Sequence, residues 1–256
     1  VLDVATDSYE ASINGQVASD FPLVPGFESG YKMFSLAEHD LREFLSRTTH
    51  ATQHSDIRPE ISGVYVSIKD GVLIFAATDS FRLAELKVRK GSFEYKEPED
   101  ASFIIPLRTA NALPRIFGGA EERVEVLFDE NQIKFKTKAL SLTSRLIDGV
   151  YPDYTQILPS GFSSHVVVGR EEFCGAVKIV SSFSGKGSDV AIKTGDNGKF
   201  LEIYSSDGTL GKNVYRIPAK IDGDKFSTTL NWRYVLDGLK VFSGEELEIG
   251  VNSTDK

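Results

Sequence analysis

Cysteine, methionine and tryptophan are almost missing from this chain, since each occurs once in 256 residues. The single cysteine, Cys174, excludes an internal disulfide framework and a cysteine-rich zinc site. It lies in an apolar helical segment, which predicts a small core residue, and its isolation suits a reducing, cytoplasmic compartment. No apolar run approaches the roughly 20 residues that a membrane-spanning helix requires.

Catalytic and metal-binding patterns are also scarce. His50 and His54 have the spacing of a helical metal pair, but no third ligand accompanies them. The segment Ser184-Gly185-Lys186-Gly187-Ser188 lacks the full phosphate-loop spacing and predicts an ordinary loop. We therefore expect no metal, no cofactor and no enzymatic activity. A hydrolase that uses a serine with His39, His50, His54 or His165 remains an alternative.

Basic residues are outnumbered, with 29 Lys and Arg against 37 Asp and Glu and a net charge of −8. This balance excludes a protein whose entire surface grips nucleic acid, but it permits a local basic face.

One arrangement recurs along the chain: a short apolar strand followed directly by a helix. The predicted helices span 36–45, 107–117, 170–180 and 231–241, and their starting residues are Ser35, Pro106, Gly169 and Asn231. Ser35 and Glu38 form a candidate capping box. The starting residues lie 71, 63 and 62 positions apart, and strands with hairpin turns follow each helix. The predicted fold is α+β, with repeated strand-helix-strands units and helices on one face of antiparallel sheets.

A longer period groups these units in pairs. Two similar proline-containing linkers follow a polar strand; Pro22 and Pro152 lie 130 residues apart, and Pro25 and Pro159 lie 134 apart. This predicts the end of a first domain at 1–30, a complete domain at 31–159 and a shortened third domain at 160–256. We expect a fragment of a three-domain protein.

Two segments have a composition that suggests binding. The first is Thr78-Asp79-Ser80-Phe81-Arg82-Leu83-Ala84, which is otherwise a plain hairpin turn. The second is the linker Leu146-Ile147-Asp148-Gly149-Val150-Tyr151-Pro152-Asp153-Tyr154, followed by Ile157-Leu158-Pro159. Proline could make this linker a rigid spacer, but its aromatic content favours packing against the protein.

At these two segments the chain resembles the bacterial DNA polymerase III beta subunit family, the sliding clamps. That family has a Thr-Asp-Gly-His-Arg-Leu-Ala turn and a Leu-(Ile/Val)-Asp-Gly-x-(Phe/Tyr)-Pro-Asp-Tyr linker, and the resemblance extends over nearly the whole chain. It implies a DNA-clamp fold and a non-catalytic processivity factor of DNA replication. In the family, two three-domain chains form a homodimeric ring of six domains around duplex DNA, with helices lining the hole.

The resemblance also implies the residues that would contact DNA. Such contacts should be weak, directed to phosphates and independent of sequence, because the ring's topology prevents dissociation. The candidates are Arg42, Arg47, His54, Arg108, Arg115, Lys178 and Arg233, with Lys240 as a further basic residue on a helix. Pro114 could kink the second helix and redirect Arg115.

Family members bind polymerase, clamp loader and repair proteins through short peptides in a cleft. Transferred by motif, that cleft comprises Arg58, Ile61, Thr78, Ser80, Phe81, Arg82, Leu83, Pro152, Gln156, Ile157, Asn231 and Tyr234. Here Ser80-Phe81 replaces Gly-His, and further strands that line the cleft in the family would follow Lys256. We therefore expect weakened peptide binding.

Ring closure is implied near Ser182 and Phe183. Because little of the first domain is present, we expect no closed ring from this chain. Two alternatives stay open: a two-domain clamp of three subunits, and a stand-alone peptide-binding scaffold.

Overall fold

The computed structural model describes residues 1–21, 23, 26–27, 30–95, 100–117 and 122–252. Pro22 and Pro25, on which the repeated linker was based, lie outside these residues. The chain begins with an antiparallel hairpin of β1 (Leu2–Thr6) and β2 (Tyr9–Ile13), which forms a separate two-stranded sheet.

The central lobe spans residues 32–145. Its elements are β3 (Lys32–Ala37), α1 (Glu38–Thr48), β4 (Gly63–Lys69), β5 (Val72–Thr78), β6 (Leu83–Val88), β7 (Phe93–Tyr95), β8 (Ala101–Pro106), α2 (Leu107–Ile116), β9 (Arg123–Phe128), β10 (Gln132–Lys136) and β11 (Ser141–Arg145). One sheet has the order β11-β10-β9-β3-β7 and the other β6-β5-β4-β8, with antiparallel pairing throughout. Both sheets and both helices contribute side chains to a single core.

The C-terminal lobe spans residues 164–251 and repeats this plan. Its elements are β12 (Ser164–Gly169), α3 (Arg170–Ser181), β13 (Asp189–Thr194), β14 (Phe200–Asp207), β15 (Gly211–Pro218), β16 (Lys220–Gly223), β17 (Ser227–Asn231), α4 (Trp232–Leu239) and β18 (Glu246–Val251). The sheets are β15-β14-β13-β17 and β16-β12-β18, again antiparallel, and they enclose a second core. The predicted α+β class with antiparallel sheets is confirmed.

The predicted capping box of Ser35 and Glu38 is wrong. β3 pairs with β9 as far as Ala37, so the ladder holds Ser35 in an extended conformation and α1 begins only at Glu38. The Ser35 hydroxyl instead accepts a hydrogen bond of 3.1 Å from Arg123 Nη2.

The other three helix starts agree with the sequence. Pro106 and Gly169 directly precede α2 and α3, and the Asn231 side chain accepts a hydrogen bond from the Arg233 amide at the start of α4. α2 continues through Pro114 and ends two residues later, at Ile116. Cys174 is partly buried against the C-terminal core, as its apolar surroundings predict.

Candidate functional site

The turn between β5 and β6 is held by hydrogen bonds from its own side chains. Asp79 Oδ1 accepts from the amides of Phe81 and Arg82 at 3.0 and 3.1 Å, and Thr78 Oγ1 donates to Arg82 O at 2.7 Å. These bonds satisfy the backbone groups that the sheet no longer pairs. The turn leaves the Phe81 side chain projecting into solvent, with 79% of it exposed.

Ser80 occupies a backbone conformation that normally favours glycine. Its φ is +75°, in the left-handed region where a Cβ is crowded. Its hydroxyl accepts a hydrogen bond of 3.0 Å from Arg58 Nη1, which joins the segment before β4 to this turn. A glycine would adopt this backbone conformation without crowding, whereas Ser80 adopts it with its hydroxyl bonded to Arg58.

Arg82 connects the two lobes. Its Nε lies 3.0 Å from Asp79 Oδ2 in the central lobe, and its Nη1 lies 2.9 Å from Asp237 Oδ2 on α4. The guanidinium also lies 4.3 Å from the centre of the Tyr234 ring, within cation–π distance. The site combines residues of β5, β6 and α4, although Arg82 and Asp237 are 155 positions apart.

The linker between the lobes packs on the outer face of the sheet β6-β5-β4-β8. Tyr151 and Tyr154 are buried in a cluster with Ile61, Ala76 and Ile104, against which Tyr65, Leu83 and Ile147 also pack. The Tyr151 and Tyr65 rings stack with their centres 4.7 Å apart. The linker is therefore a docked segment, as its aromatic content predicts, and this docking brings Ile61 and Leu83 together.

Tyr154 adds a polar anchor to this apolar contact. Its hydroxyl donates to Glu85 Oε2 at 2.7 Å. Burial is the largest cause that raises the pKa of Tyr154 above its ordinary value, and this hydrogen bond raises it further. Tyr151 Oη has no hydrogen-bond partner among the described residues. The two neighbouring tyrosines thus contribute differently: Tyr154 adds a hydrogen bond to a carboxylate, and Tyr151 contributes mainly its stacked ring.

A short turn from Tyr154 to Ile157 ends the docked part of the linker. Asp153 caps it by accepting from the Thr155 amide at 3.2 Å, from Thr155 Oγ1 at 2.6 Å and from Gln156 Nε2 at 2.8 Å. These bonds from Thr155 and Gln156 hold the pKa of the Asp153 carboxyl below its usual range. Gln156 is therefore engaged within the turn, whereas Ile157 is 74% exposed.

The remaining predicted cleft residues have mixed roles. Tyr234 contacts Arg82, Asn231 caps α4, and Pro152 accepts a backbone hydrogen bond from Tyr154 at 2.8 Å. Sequence reasoning missed Asp237, Tyr151 and Tyr154 as contributors. The two tyrosines were visible in the linker motif, whereas nothing local to Asp237 pointed to Arg82.

The sequence offered His50 as one of a possible metal pair or as a histidine of a hydrolase, and the structure places it between the lobes. The turn at Thr49–Ala51 packs against α4. Burial lowers the pKa of His50, the charge of Arg82 lowers it further, and Asp237 acts in the opposite direction. His50 therefore belongs to the inter-lobe contact.

Candidate cations lie on the helices of both lobes. α1 packs against α2, and α3 packs against α4. The exposed members of the predicted set are Arg42, His54, Arg108, Arg115, Lys178 and Arg233, and the further basic residue Lys240 is exposed as well. Arg47 pairs with Glu43 at 2.6 Å, so a neighbouring carboxylate offsets its charge. His54 Nε2 lies 3.1 Å from Asp56 Oδ1. Arg115 is exposed, and Pro114 leaves α2 intact around it.

The predicted subunit contact lies at the end of α3. Ser182 is exposed and Phe183 partly buried, and the nearby Ile179 is also half exposed. β15 forms one edge of the sheet β15-β14-β13-β17 and exposes Val214 and Tyr215. This part of the surface is apolar and includes a strand edge that is unpaired within the described residues.

Within the described residues, one group has the geometry of a metal site: His39, Asp40 and Glu43 on α1. Glu43 is already paired with Arg47. His50 and His54, which have the spacing of a helical metal pair, belong to no such group there. No helix in the described part of the chain is long and apolar enough to cross a membrane.

Family models for the DNA polymerase III beta subunit match most of the chain. The central-domain model matches residues 35–153 and the C-terminal-domain model residues 155–256. Two curated relatives are the beta sliding clamps of Bacillus subtilis, 30% identical over 242 residues, and Staphylococcus aureus strain N315, 29% identical over 248 residues. These alignments cover 94% and 96% of this chain but 63% and 64% of the relatives.

Solved structures agree with this assignment. The crystal structure of the Bacillus subtilis DNA polymerase sliding clamp has a TM-score of 0.90 and 28% identity, covering 98% of this chain and 66% of that one. The DNA polymerase III beta subunit of Thermotoga maritima has a TM-score of 0.88 at 23% identity, a likeness that shows the fold alone; the match covers 98% of this chain and 67% of that chain.

Proposed function

Because the chain belongs to the DNA polymerase III beta subunit family, we propose that it serves in a sliding clamp, a processivity factor that encircles duplex DNA. In this role it is a non-catalytic accessory subunit that acts in the cytoplasm. It tethers polymerase, clamp loader and repair proteins to DNA through short peptides. The matched relatives are longer, and the ring is a homodimer of three-domain chains.

The observation that carries this proposal is the repetition of a packed helix pair in both lobes, with exposed cations on each pair. Arg42 lies on α1, Arg108 and Arg115 on α2, Lys178 on α3 and Arg233 on α4. Cations spread over helix surfaces suit phosphates along a duplex and carry no information on base sequence. The acidic remainder of the chain limits binding elsewhere on the surface.

Salt dependence of DNA binding tests this role. We expect fluorescence anisotropy to show weak binding that is equal for unrelated duplexes and decreases steeply with salt. Removal of one cation that binds a phosphate should reduce the slope of log K against log salt by about 0.9. The triple variant Arg42→Ala, Arg108→Ala, Arg115→Ala should reduce both affinity and slope. Lys134→Ala with Lys136→Ala, on β10, is the matched control.

The second element of the proposal is a peptide-docking surface around the turn and the linker. Phe81 in the turn and Ile157 in the linker expose apolar side chains, and the ion pair of Arg82 with Asp237 connects the turn to α4. An extended peptide gains affinity by burying one or two apolar anchors against preformed pockets. If the chain binds DNA with the salt slope described but binds no peptide, the DNA-encircling role stands and the role as a tether for other proteins is wrong. The opposite result would favour the stand-alone peptide-binding scaffold.

The division of the chain and its subunit contact are part of the same proposal. The first domain contributes residues 1–30, the middle domain 31–159 and the third domain 160–256. The end of α3 with Ser182 and Phe183, beside the edge strand β15, supplies one half of the ring contact. An unpaired strand edge with exposed apolar side chains is a surface that a second sheet can extend.

A further inference from the structure

His50 lies at the junction of the two lobes, in the short turn Thr49–Ala51 that follows α1. This turn packs against α4 of the C-terminal lobe and against α1, α2, β5 and β6 of the central lobe. The imidazole is partly buried there. Water screens charges less at such a position than at the surface. A change in the charge of His50 therefore acts on both lobes.

The charged groups that act on His50 belong to one cluster of ion pairs. Arg82 Nη1, just before β6, lies 2.9 Å from Asp237 Oδ2 on α4. Lys240 Nζ lies 2.9 Å from Oδ1 of the same carboxylate. Burial is the largest cause that lowers the pKa of His50, and the charge of Arg82 lowers it further. Asp237 and the backbone of Arg47 raise this pKa, whereas Lys240 lowers it.

The other elements that pack against the turn carry their ionisable side chains elsewhere. β5 consists of uncharged residues, and on β6 Glu85 binds Tyr154 and Lys87. The ionisable residues of α1 and α2 are Glu38, His39, Asp40, Arg42, Glu43, Arg47, Arg108 and Arg115. The side-chain charges that act on the pKa of His50 are those of Arg82, Asp237 and Lys240. The ion pair between the lobes is therefore the feature that a proton on His50 affects.

A proton on His50 acts on both members of that ion pair. The imidazolium attracts the Asp237 carboxylate and repels the Arg82 guanidinium, so both effects oppose the bond between them. Arg82 keeps a partner when it leaves this bond, because its Nε lies 3.0 Å from Asp79 Oδ2 and the Asp79 side chain is 1% exposed. Asp237 finds a new cation in the same place. The cluster thus has two arrangements that differ by one proton.

We propose that His50 is a proton-dependent switch at this junction: when the imidazole is protonated, Asp237 exchanges Arg82 for His50 as its partner in the central lobe. The step is the uptake of one proton from water and a change of ion-pair partner, and no covalent bond forms or breaks. α4, which carries Asp237 and Tyr234, then moves from the turn between β5 and β6 toward the turn Thr49–Ala51. The exchange uses contacts within the chain alone and does not depend on the function proposed above.

A double-mutant cycle of Arg82 and Asp237 tests the exchange. Urea denaturation of Arg82→Gln, Asp237→Asn and the double variant measures the coupling between the two side chains. Asp237 stays ionised in this experiment, because its pKa is lowered from the ordinary value of 3.8. We expect the coupling to be present at a pH of about 7.5 and to disappear at about 5, below the usual histidine pKa of about 6.5.

The same cycle in a His50→Phe background is the control, since phenylalanine retains a ring and takes up no proton. There the coupling should be equal at both pH values. Coupling that is independent of pH in the chain with His50 would overturn the proposal. A loss of coupling that persists with His50→Phe would also overturn it, because another group would then be responsible.

The titration of His50 itself supplies a test that does not need Arg82→Gln, which leaves Asp79 buried without its cation. The imidazole proton resonances of the full chain are followed by NMR, and His50 is identified by the signal that His50→Phe removes. Asp237→Asn should lower the pKa of His50 and Lys240→Ala should raise it, because they remove an attracting and a repelling charge. Lys212→Ala, on β15, should leave this pKa unchanged. A His50 signal that Asp237→Asn does not shift would refute the exchange.

Discussion

The guanidinium of Arg82 and the carboxylate of Asp237 join the two lobes, with Nη1 and Oδ2 2.9 Å apart. Arg82 is mostly buried, and its second carboxylate partner, Asp79, is 1% exposed. The Tyr234 ring lies against the same guanidinium. A residue that belongs to a hairpin turn in the sequence thus fixes the position of α4 relative to the proposed peptide surface.

We expect Asp237→Asn to weaken the contact between the lobes. The substitution removes a charged acceptor from a partly buried guanidinium, and such bonds contribute about 1.5–3 kcal/mol. Urea denaturation should show a decrease of about this size in the free energy of unfolding. Lys240→Ala is the control, because Lys240 bonds the same carboxylate but is 72% exposed, and exposed pairs contribute less than about 1 kcal/mol. Equal decreases in both variants would contradict the central role of Arg82.

The same ion pair should make the free energy of unfolding decrease at acidic pH. Burial opposes ionisation of Asp237, but hydrogen bonds from Lys240 and Arg82 outweigh it and lower its pKa. A carboxyl whose pKa is lower in the folded state than in the unfolded chain stabilises the fold at pH values above its unfolded pKa, about 3.9. That contribution should disappear as the pH falls below about 4 through the folded pKa. Asp237→Asn should reduce this acid-induced destabilisation, measured by thermal unfolding against pH.

His50 should make the stability of the fold depend on pH in a higher range than Asp237 does. Because burial lowers its pKa, the unfolded chain binds the proton more readily than the folded chain. Stability should therefore fall as the pH decreases through the usual histidine value of about 6.5, and level off below the folded pKa. The slope from one group is at most about 1.4 kcal/mol per pH unit. His50→Gln should flatten this slope.

The two linker tyrosines offer a matched comparison. Tyr154→Phe removes the bond to Glu85 and leaves that carboxylate with Lys87, so we expect a decrease of about 1 kcal/mol in the free energy of unfolding. Tyr151→Phe keeps the ring stacked on Tyr65 and removes a hydroxyl that bonds no charged group among the described residues. It should be neutral or slightly stabilising. The reverse order in calorimetry would show that the polar anchor lies at Tyr151.

Phe81 should decide peptide affinity without affecting the fold. Its side chain is exposed and takes no part in the hydrogen bonds of the turn, which use its backbone amide and the side chains of Asp79 and Thr78, so Phe81→Ala should leave thermal stability unchanged. Titration with a labelled peptide that has apolar anchors should show about tenfold weaker binding, equivalent to about 1.4 kcal/mol. Leu210→Ala, which removes another exposed apolar side chain, is the control. Unchanged affinity would exclude Phe81 from the peptide surface.

Local chemistry in the sequence determined much of this architecture. Pro106, Gly169 and Asn231 start helices because their conformational preferences or side chains act on the nearest backbone groups. The turn at Asp70 and Gly71 forms where both residues adopt positive φ, as hairpin turns require. The repeat of about 130 residues likewise follows from the order of such signals. Together with the turn and linker motifs, it identifies the family before any contact is known.

Tertiary structure decided what depends on distant partners. Ser35 is extended because β9 pairs with it across the sheet, which overrides a local capping signal. The short strands β7 and β16 exist only through pairing with β3 and β12 and have no clear pattern of their own. Asp237 and His50 become part of the inter-lobe contact only when α4 reaches the central lobe. Local preferences act over a few residues, whereas burial and ion pairing are set by residues far apart in the chain.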